Sequence, residues 1–280
     1  MTVRAISGIA LCAVALLGSS AVPAAPGATA DTGLANYAFA SEVGSGVYEI
    51  NGSTIYVYRV TPYYWLRDTT EVRGRPGLKL ILPITFGFFD FKLSDLAHLE
   101  FPNQVGAVSL EPGIEFDYWL HESWHVFPYV KGGATFASSA EVNAYIYGLG
   151  VRSELRFQVR AAAGLWTSDL THAGVHYKSD LPNDSFTRWR NGVELRRAFG
   201  ADARERRFEL GVYGVTDIYL DAPQGPASGL SARTLQFEGG LMFGVSPMYQ
   251  LWGVTLPRLG IGYREAGVLS GWRLVIGDPF

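Results

Sequence analysis

The sequence predicts an all-β chain, a transmembrane antiparallel β-barrel of about ten to twelve strands. Three observations predict it. Apolar and polar residues alternate with period two over runs of roughly ten to sixteen residues, where a typical globular strand has about 5–6. Beyond the N-terminal export signal, no segment holds the ~18 consecutive apolar residues that a helical span requires. The composition is also unlike that of a soluble domain: of 280 residues only 18% are charged, 14% are aromatic and 33 are Gly, against about 25% charged as usual. A formal net charge of -3 argues against a nucleic-acid partner, which calls for a basic surface.

Residues 1–30 read as a secretory signal: Arg4, an apolar stretch from Ala5 to Leu17, then Gly18, Ser19, Ser20 and a Pro/Ala-rich tail. Ala28-Thr29-Ala30 fits the small-x-small cleavage rule and places mature residue one at Asp31; cleavage after Ala24 or Ala25 is the alternative. The apolar stretch is too short to span about 30 Å of hydrocarbon as a helix. Cys12, the only cysteine, lies within it and follows Leu11, which is not the small residue a lipoprotein site needs. The mature chain is thus expected to lack disulfides, leaving closure to hydrogen bonds and packing. Residues 31–53 alternate little and read as a lead-in or short helix, with the barrel over 54–280.

Candidate strands fall near 54–66, 76–91, 105–120, 123–136, 141–160, 186–199, 206–220, 232–246, 257–266 and 270–280. The stretch 161–185 has room for two more, around Gly164–Asp169 and His172–Lys178. From Val108, one face carries Leu110, Ile114, Phe116, Tyr118 and Leu120, and the other Ser109, Glu111, Glu115, Asp117 and Trp119. Leu235, Phe237, Leu241 and Phe243 likewise alternate with Gln236, Glu238, Gly240 and Gly244. With both termini in the periplasm, 67–75, 121–122, 161–185, 221–231 and 267–269 are expected outside the cell. Such strands in an exported chain point to the outer membrane of a Gram-negative bacterium, whose lipid and lipopolysaccharide become the expected partners.

In the last strand Trp272, Leu274, Ile276 and the terminal Phe280 are expected on one face. A terminal Phe on an alternating strand resembles the signal read by the outer-membrane assembly machinery, a further expected partner. Glu111-Pro112-Gly113-Ile114-Glu115-Phe116-Asp117-Tyr118, Pro128-Tyr129-Val130-Lys131-Gly132-Gly133, and Leu259-Gly260-Ile261-Gly262-Tyr263 paired with Trp272-Arg273-Leu274-Val275-Ile276-Gly277 resemble the solitary autotransporter-like outer-membrane β-barrels. That resemblance implies a twelve-stranded barrel without a secreted passenger.

The polar faces are expected to point inward. They carry Arg152, Arg156, Arg160, Arg196, Arg258, Arg264 and Arg273 against Glu111, Glu115, Asp117, Glu154, Glu194, Glu209 and Glu238, as many cations as anions. A ring of one sign selects ions by charge, whereas balanced signs pair across a narrow lumen. The expected role is therefore structural, a scaffold with an ion-paired interior and no cofactor; a small-solute pore is the alternative. A rim enzyme acting on lipid A or peptides is a further one. His121, Glu122, Ser123 and His125 sit at one turn on the expected outer rim, and a base-activated Ser is the chemistry they would supply. His172 and His176 lack the companion ligands of a metal site.

Overall fold

The computed structural model describes residues 38, 41–42, 44–50, 53–68, 75–89, 105–137, 144–178, 183–200, 207–222, 234–246, 250–251, 254–255, 258–265 and 269–280. The export signal expected over 1–30 lies outside them. The strands are β1 (Gly46–Ile50), β2 (Ser53–Val60), β3 (Tyr63–Arg67), β4 (Gly77–Ile81), β5 (Ile84–Phe89), β6 (Val105–Leu110), β7 (Gly113–His121), β8 (Trp124–Ala137), β9 (Ala144–Val159), β10 (Ala162–Tyr177), β11 (Asp184–Phe199), β12 (Arg207–Asp221), β13 (Leu235–Ser246), β14 (Gln250–Leu251), β15 (Val254–Thr255), β16 (Leu259–Glu265) and β17 (Leu269–Ile276). β14 and β15 form a separate hairpin, and the rest make one 15-stranded sheet.

That sheet is antiparallel throughout and returns upon itself, so the chain is an all-β barrel. β1 pairs with β2 on one edge and with β17 on the other, where Val47 stands opposite Trp272. β8 pairs with β6 and β7 on one edge and with β9 on the other. Closure leaves no edge that must seek a partner.

Three of the strands are broken at prolines. β2 gives way to β3 at Thr61-Pro62, β4 to β5 at Leu82-Pro83, and β6 to β7 at Glu111-Pro112. Proline has no N–H for the ladder, but its carbonyl still accepts. Leu82 N–H donates to the Pro62 carbonyl at 2.9 Å, Glu111 N–H to that of Pro83 at 2.9 Å, and Gly132 N–H to that of Pro112 at 3.0 Å. The breaks thus line up as one crease across adjacent strands and end at Gly132-Gly133 in β8. There the backbones approach so closely that a Cβ on Gly133 would lie 1.6 Å from the Leu110 carbonyl oxygen. Gly133→Val is expected to prevent β6 from docking on β8 at a cost of about 1–3 kcal/mol. The check is a lower urea midpoint for loss of the folded, heat-modifiable gel band.

Alternation decides the two faces. In β16, Leu259, Ile261 and Tyr263 are exposed on the outside while Gly260, Gly262 and Arg264 are buried. In β13, Leu235, Phe237, Leu241 and Phe243 are exposed and Gln236, Glu238 and Met242 buried. The usual protein is turned inside out: large apolar side chains cover the exterior, and Glu111, Glu115, Arg188, Arg190, Asp217 and Arg264 are buried within. An apolar inner cluster of Ala107, Ala144, Ile146, Val175, Tyr177, Phe186 and Tyr219 fills the end of the barrel at which β9 and β11 begin.

Two strands correct the expected layout. β1 forms within the stretch read as a lead-in, and β10 is one long strand where two short ones were considered. β10 escaped notice because Ser168 and His172 share the outer face with Trp166 and Leu170, which weakens its apolar contrast. The extra β1 reverses strand direction up to β10. The C-terminal ends of β3, β7, β9, β11 and β13 therefore share one end of the barrel with that of β17. The C-terminal ends of β1, β5, β8, β10, β12 and β16 share the other. Contrary to expectation, the ends of β3 and β7 at which the loops 67–75 and 121–122 were expected thus lie at the same end as that of β17; residues 69–74 lie outside the described residues.

Candidate functional site

The interior is the candidate site, and its centre is Asp217 on β12. The Arg190 guanidinium grips it with two bonds, Nε to Oδ1 at 2.7 Å and Nη2 to Oδ2 at 2.9 Å. Arg264 Nη2 donates to Oδ2 at 2.9 Å, and Arg188 Nε lies 3.9 Å from Oδ1. Arg264 continues to Glu238 at 3.1 Å, and Glu238 also accepts from Arg273 at 2.8 Å and from the Tyr213 hydroxyl at 2.9 Å. Gln236 completes this group with its Oε1 3.5 Å from Arg264 Nη1. Planar guanidinium forks suit such shared carboxylates, and each bond is charge-assisted.

The chain enters this network from its N-terminal side. Gly44, at φ 92°, turns the backbone away from β1, and a Cβ there would meet the Arg273 guanidinium at 3.1 Å. This is a left-handed conformation that glycine takes without strain. Beyond it Glu42 lies in the lumen and bridges β8 and β11, with β9 and β10 between them in the wall. Its carboxylate accepts from Lys131 on β8 and from Arg188 Nη2 on β11 at 3.1 Å, while its carbonyl takes Arg188 Nη1 at 3.0 Å. Burial alone would raise the Glu42 carboxyl, but Lys131, Arg59 and Arg188 together hold it well below the ordinary carboxylate range. Lys131 also pairs with Glu111 at 2.9 Å. Ala38 sits in the apolar inner cluster, so the segment climbs away from the C-terminal end as it leaves Gly44.

The C-terminus closes the other half. Gly277, at φ 94°, bends the tail inward; Asp278 then pairs with Arg258, which also holds Glu194. The Pro279 carbonyl accepts from Arg273 at 3.0 Å. Phe280 packs against Tyr213, Val215, Met242 and Val275, over Gly192, where a Cβ would clash with its ring at 2.2 Å. Trp272, Leu274 and Ile276 are exposed on the outside. The expected shared face therefore stops at Ile276: the turn at Gly277 sends Phe280 to the opposite face.

A second group lies toward the C-terminal end. Glu115 binds Lys79 at 2.7 Å and Arg152 at 2.9 Å, and Arg152 also meets Glu154 at 3.1 Å. Lys79 sits 4.5 Å from the Trp65 ring and 5.0 Å from that of Phe127. Arg152, Glu115 and Glu154 are thus brought together, as are Glu194 with Arg258, and Glu238 with Arg264 and Arg273. Arg156 is exposed at the strand end, and Arg196 is half-buried. The expected ladder of Arg152, Arg156 and Arg160 ends early, because Arg160 stands in the exposed turn after β9 at φ 54°. Lys131, Asp169, Arg188, Arg190 and Asp217 were not singled out from the sequence, although the alternation of Phe186, Arg188 and Arg190 with Thr187 and Trp189 was there to be read. Glu42 gave no signal at all.

The polar turn does not assemble a triad. The Ser123 hydroxyl lies 3.1 Å from His121 Nδ1, whereas Asp117 pairs with His125, also at 3.1 Å. The serine and the carboxylate thus engage different histidines, and the turn belongs to the C-terminal end rather than the expected outer rim. His172 Nδ1 lies 3.0 Å from the Thr187 hydroxyl, and no group of three metal-ligating side chains occurs among the described residues.

No family model matches this sequence, and no curated protein does either. Among solved structures the chain is similar to the β domain of the Bordetella autotransporter BrkA, with 9% sequence identity over 82% of this chain and 92% of that one and a TM-score of 0.47.

Proposed function

We propose that this chain is an integral β-barrel of the bacterial outer membrane, with a structural scaffold role and an ion-paired, filled lumen, resembling an autotransporter translocator. The observation that carries the reading is the inverted distribution of side chains. A closed sheet with an apolar exterior and a charged interior satisfies every ladder in hydrocarbon and would aggregate in water. The C-terminal end, with the two-residue turns 122–123 and 160–161, faces the periplasm in this reading. Lipid and lipopolysaccharide surround the wall, and the assembly machinery handles the last strand. The polar groups inside hold one another instead of a substrate, which favours a scaffold over a catalyst.

Fractionation with heat-modifiable gel migration tests the location: the protein is expected in the outer membrane, beginning at Asp31. Recovery in the soluble periplasm, or a mature chain beginning at Met1, contradicts it. Planar-bilayer recording tests the filling. The wild-type protein is expected to give small, intermittent currents, and Glu42→Ala to raise them several-fold by freeing Lys131 and Arg188 from the segment between them. Because the folded-state Glu42 carboxyl titrates below its ordinary value, its stabilisation is present above that ordinary value and is lost as pH falls below it. Wild-type currents should therefore stay small from neutral pH to about pH 5 and grow only in stronger acid. Large, steady, selective currents would identify a solute pore instead.

A further inference from the structure

We propose that the C-terminal end of the wall from β9 to β12 binds the phosphate headgroup of an anionic phospholipid. Arginines in the interior are held by carboxylates, as Arg188, Arg190, Arg264 and Arg273 show. Arg160, in the turn between β9 and β10, and Arg197, on the outer face of β11, are different: both are exposed and meet no carboxylate among the described residues. They gather at one end of three adjacent strands. Arg197 stands opposite Leu210, and Phe199 opposite Phe208, in the β11–β12 ladder.

The aromatic pair identifies the kind of anion. Phe199 and Phe208 lie on the outer face, 53% and 54% exposed, with ring centroids 6.3 Å apart. Arg197 shares that face with Phe199, two residues closer to the middle of the wall. Its guanidinium must reach past the phenyl rings to water, as long basic side chains do at a bilayer surface. Neighbouring strands are about 4.8 Å apart, so the Arg160 turn is roughly 10 Å from β11, within reach of two flexible side chains directed at one headgroup. Glu209, opposite Ala198, and Arg207 lie on the inner face of β12, away from the group. Guanidinium forks over an apolar aromatic surface fit a phosphate joined to acyl chains; a free anion would leave the phenyl rings unused. The inference rests on the membrane reading above and names the lipid at this one place.

The test is native mass spectrometry of the full mature chain, refolded in detergent with equal amounts of phosphatidylglycerol and phosphatidylcholine of the same acyl chains. The wild-type barrel is expected to retain phosphatidylglycerol several-fold over phosphatidylcholine. The Arg160→Gln/Arg197→Gln variant is expected to bring that ratio close to one while its heat-modifiable band is unchanged. Phe199→Ala/Phe208→Ala should lower phosphatidylglycerol retention with the arginines intact. A ratio near one for the folded wild type, or an unchanged ratio in the arginine variant, overturns the site. Displacement of the lipid by millimolar inorganic phosphate overturns the assignment to a lipid in favour of a free anion. A wild-type chain that never becomes heat-modifiable overturns the barrel reading itself, which separates that failure from this one.

Discussion

Asp217→Ala is expected to be the most damaging single change in the interior, costing about 3–5 kcal/mol. The carboxylate serves Arg190 through two short bonds, Arg264 through a third, and lies near Arg188. Removing it leaves these cations buried together, with Glu238 still bonded to Arg264. An unpaired charge in a poorly hydrated interior costs several kcal/mol, far more than the pair contributes beyond an apolar replacement. Equilibrium unfolding of the refolded barrel in urea, followed by gel migration, reads the loss directly. Adding Arg190→Leu to Asp217→Ala should restore part of it, because one stranded cation is gone. No recovery in the double variant would mean that Asp217 acts through packing and not through charge.

Leu241→Arg is expected to cost about 2–4 kcal/mol, the range for a cation at the midplane of a barrel wall. Leu241 is 43% exposed on the outer face of β13, between Phe237 and Phe243 and opposite Val212 and Ile261. Val245→Arg, on the same outer face at the end of the strand, should be nearly neutral, since its charge can reach water. Gln236→Arg, on the inner face, is not a benign control: Gln236 is 1% exposed and already neighbours Arg264, so a second cation there should also be costly. Refolding yield into lipid vesicles ranks the three. If Val245→Arg proved as harmful as Leu241→Arg, the outer face of β13 would not be a lipid surface.

The two faces of the wall were legible in the sequence because side-chain direction in a strand repeats every two residues, a purely local property. Glu115, Asp117, Glu194 and Glu238 could be placed on the polar side without knowing any neighbour, and Leu241, Leu274 and Ile276 on the apolar side. Which charges meet was not legible. Arg264 and Asp217 are far apart in sequence, and their contact exists because β13 stands between β12 and β16 with a particular register. β1 and β10 were hidden for the same kind of reason, since a short strand or one with weak contrast is recognised by the ladders on either side of it. The two inward turns depended on tertiary structure most of all. Gly44 and Gly277 permit positive φ, but glycine permits it anywhere. What draws Glu42 and Phe280 into the lumen is a set of partners on distant strands: Lys131 and Arg188 for the one, Tyr213, Met242 and the open surface of Gly192 for the other. Local alternation thus determined what each strand shows to lipid and to the interior, whereas the filling of that interior was decided only when the closed sheet brought non-adjacent strands and the two chain ends within bonding distance.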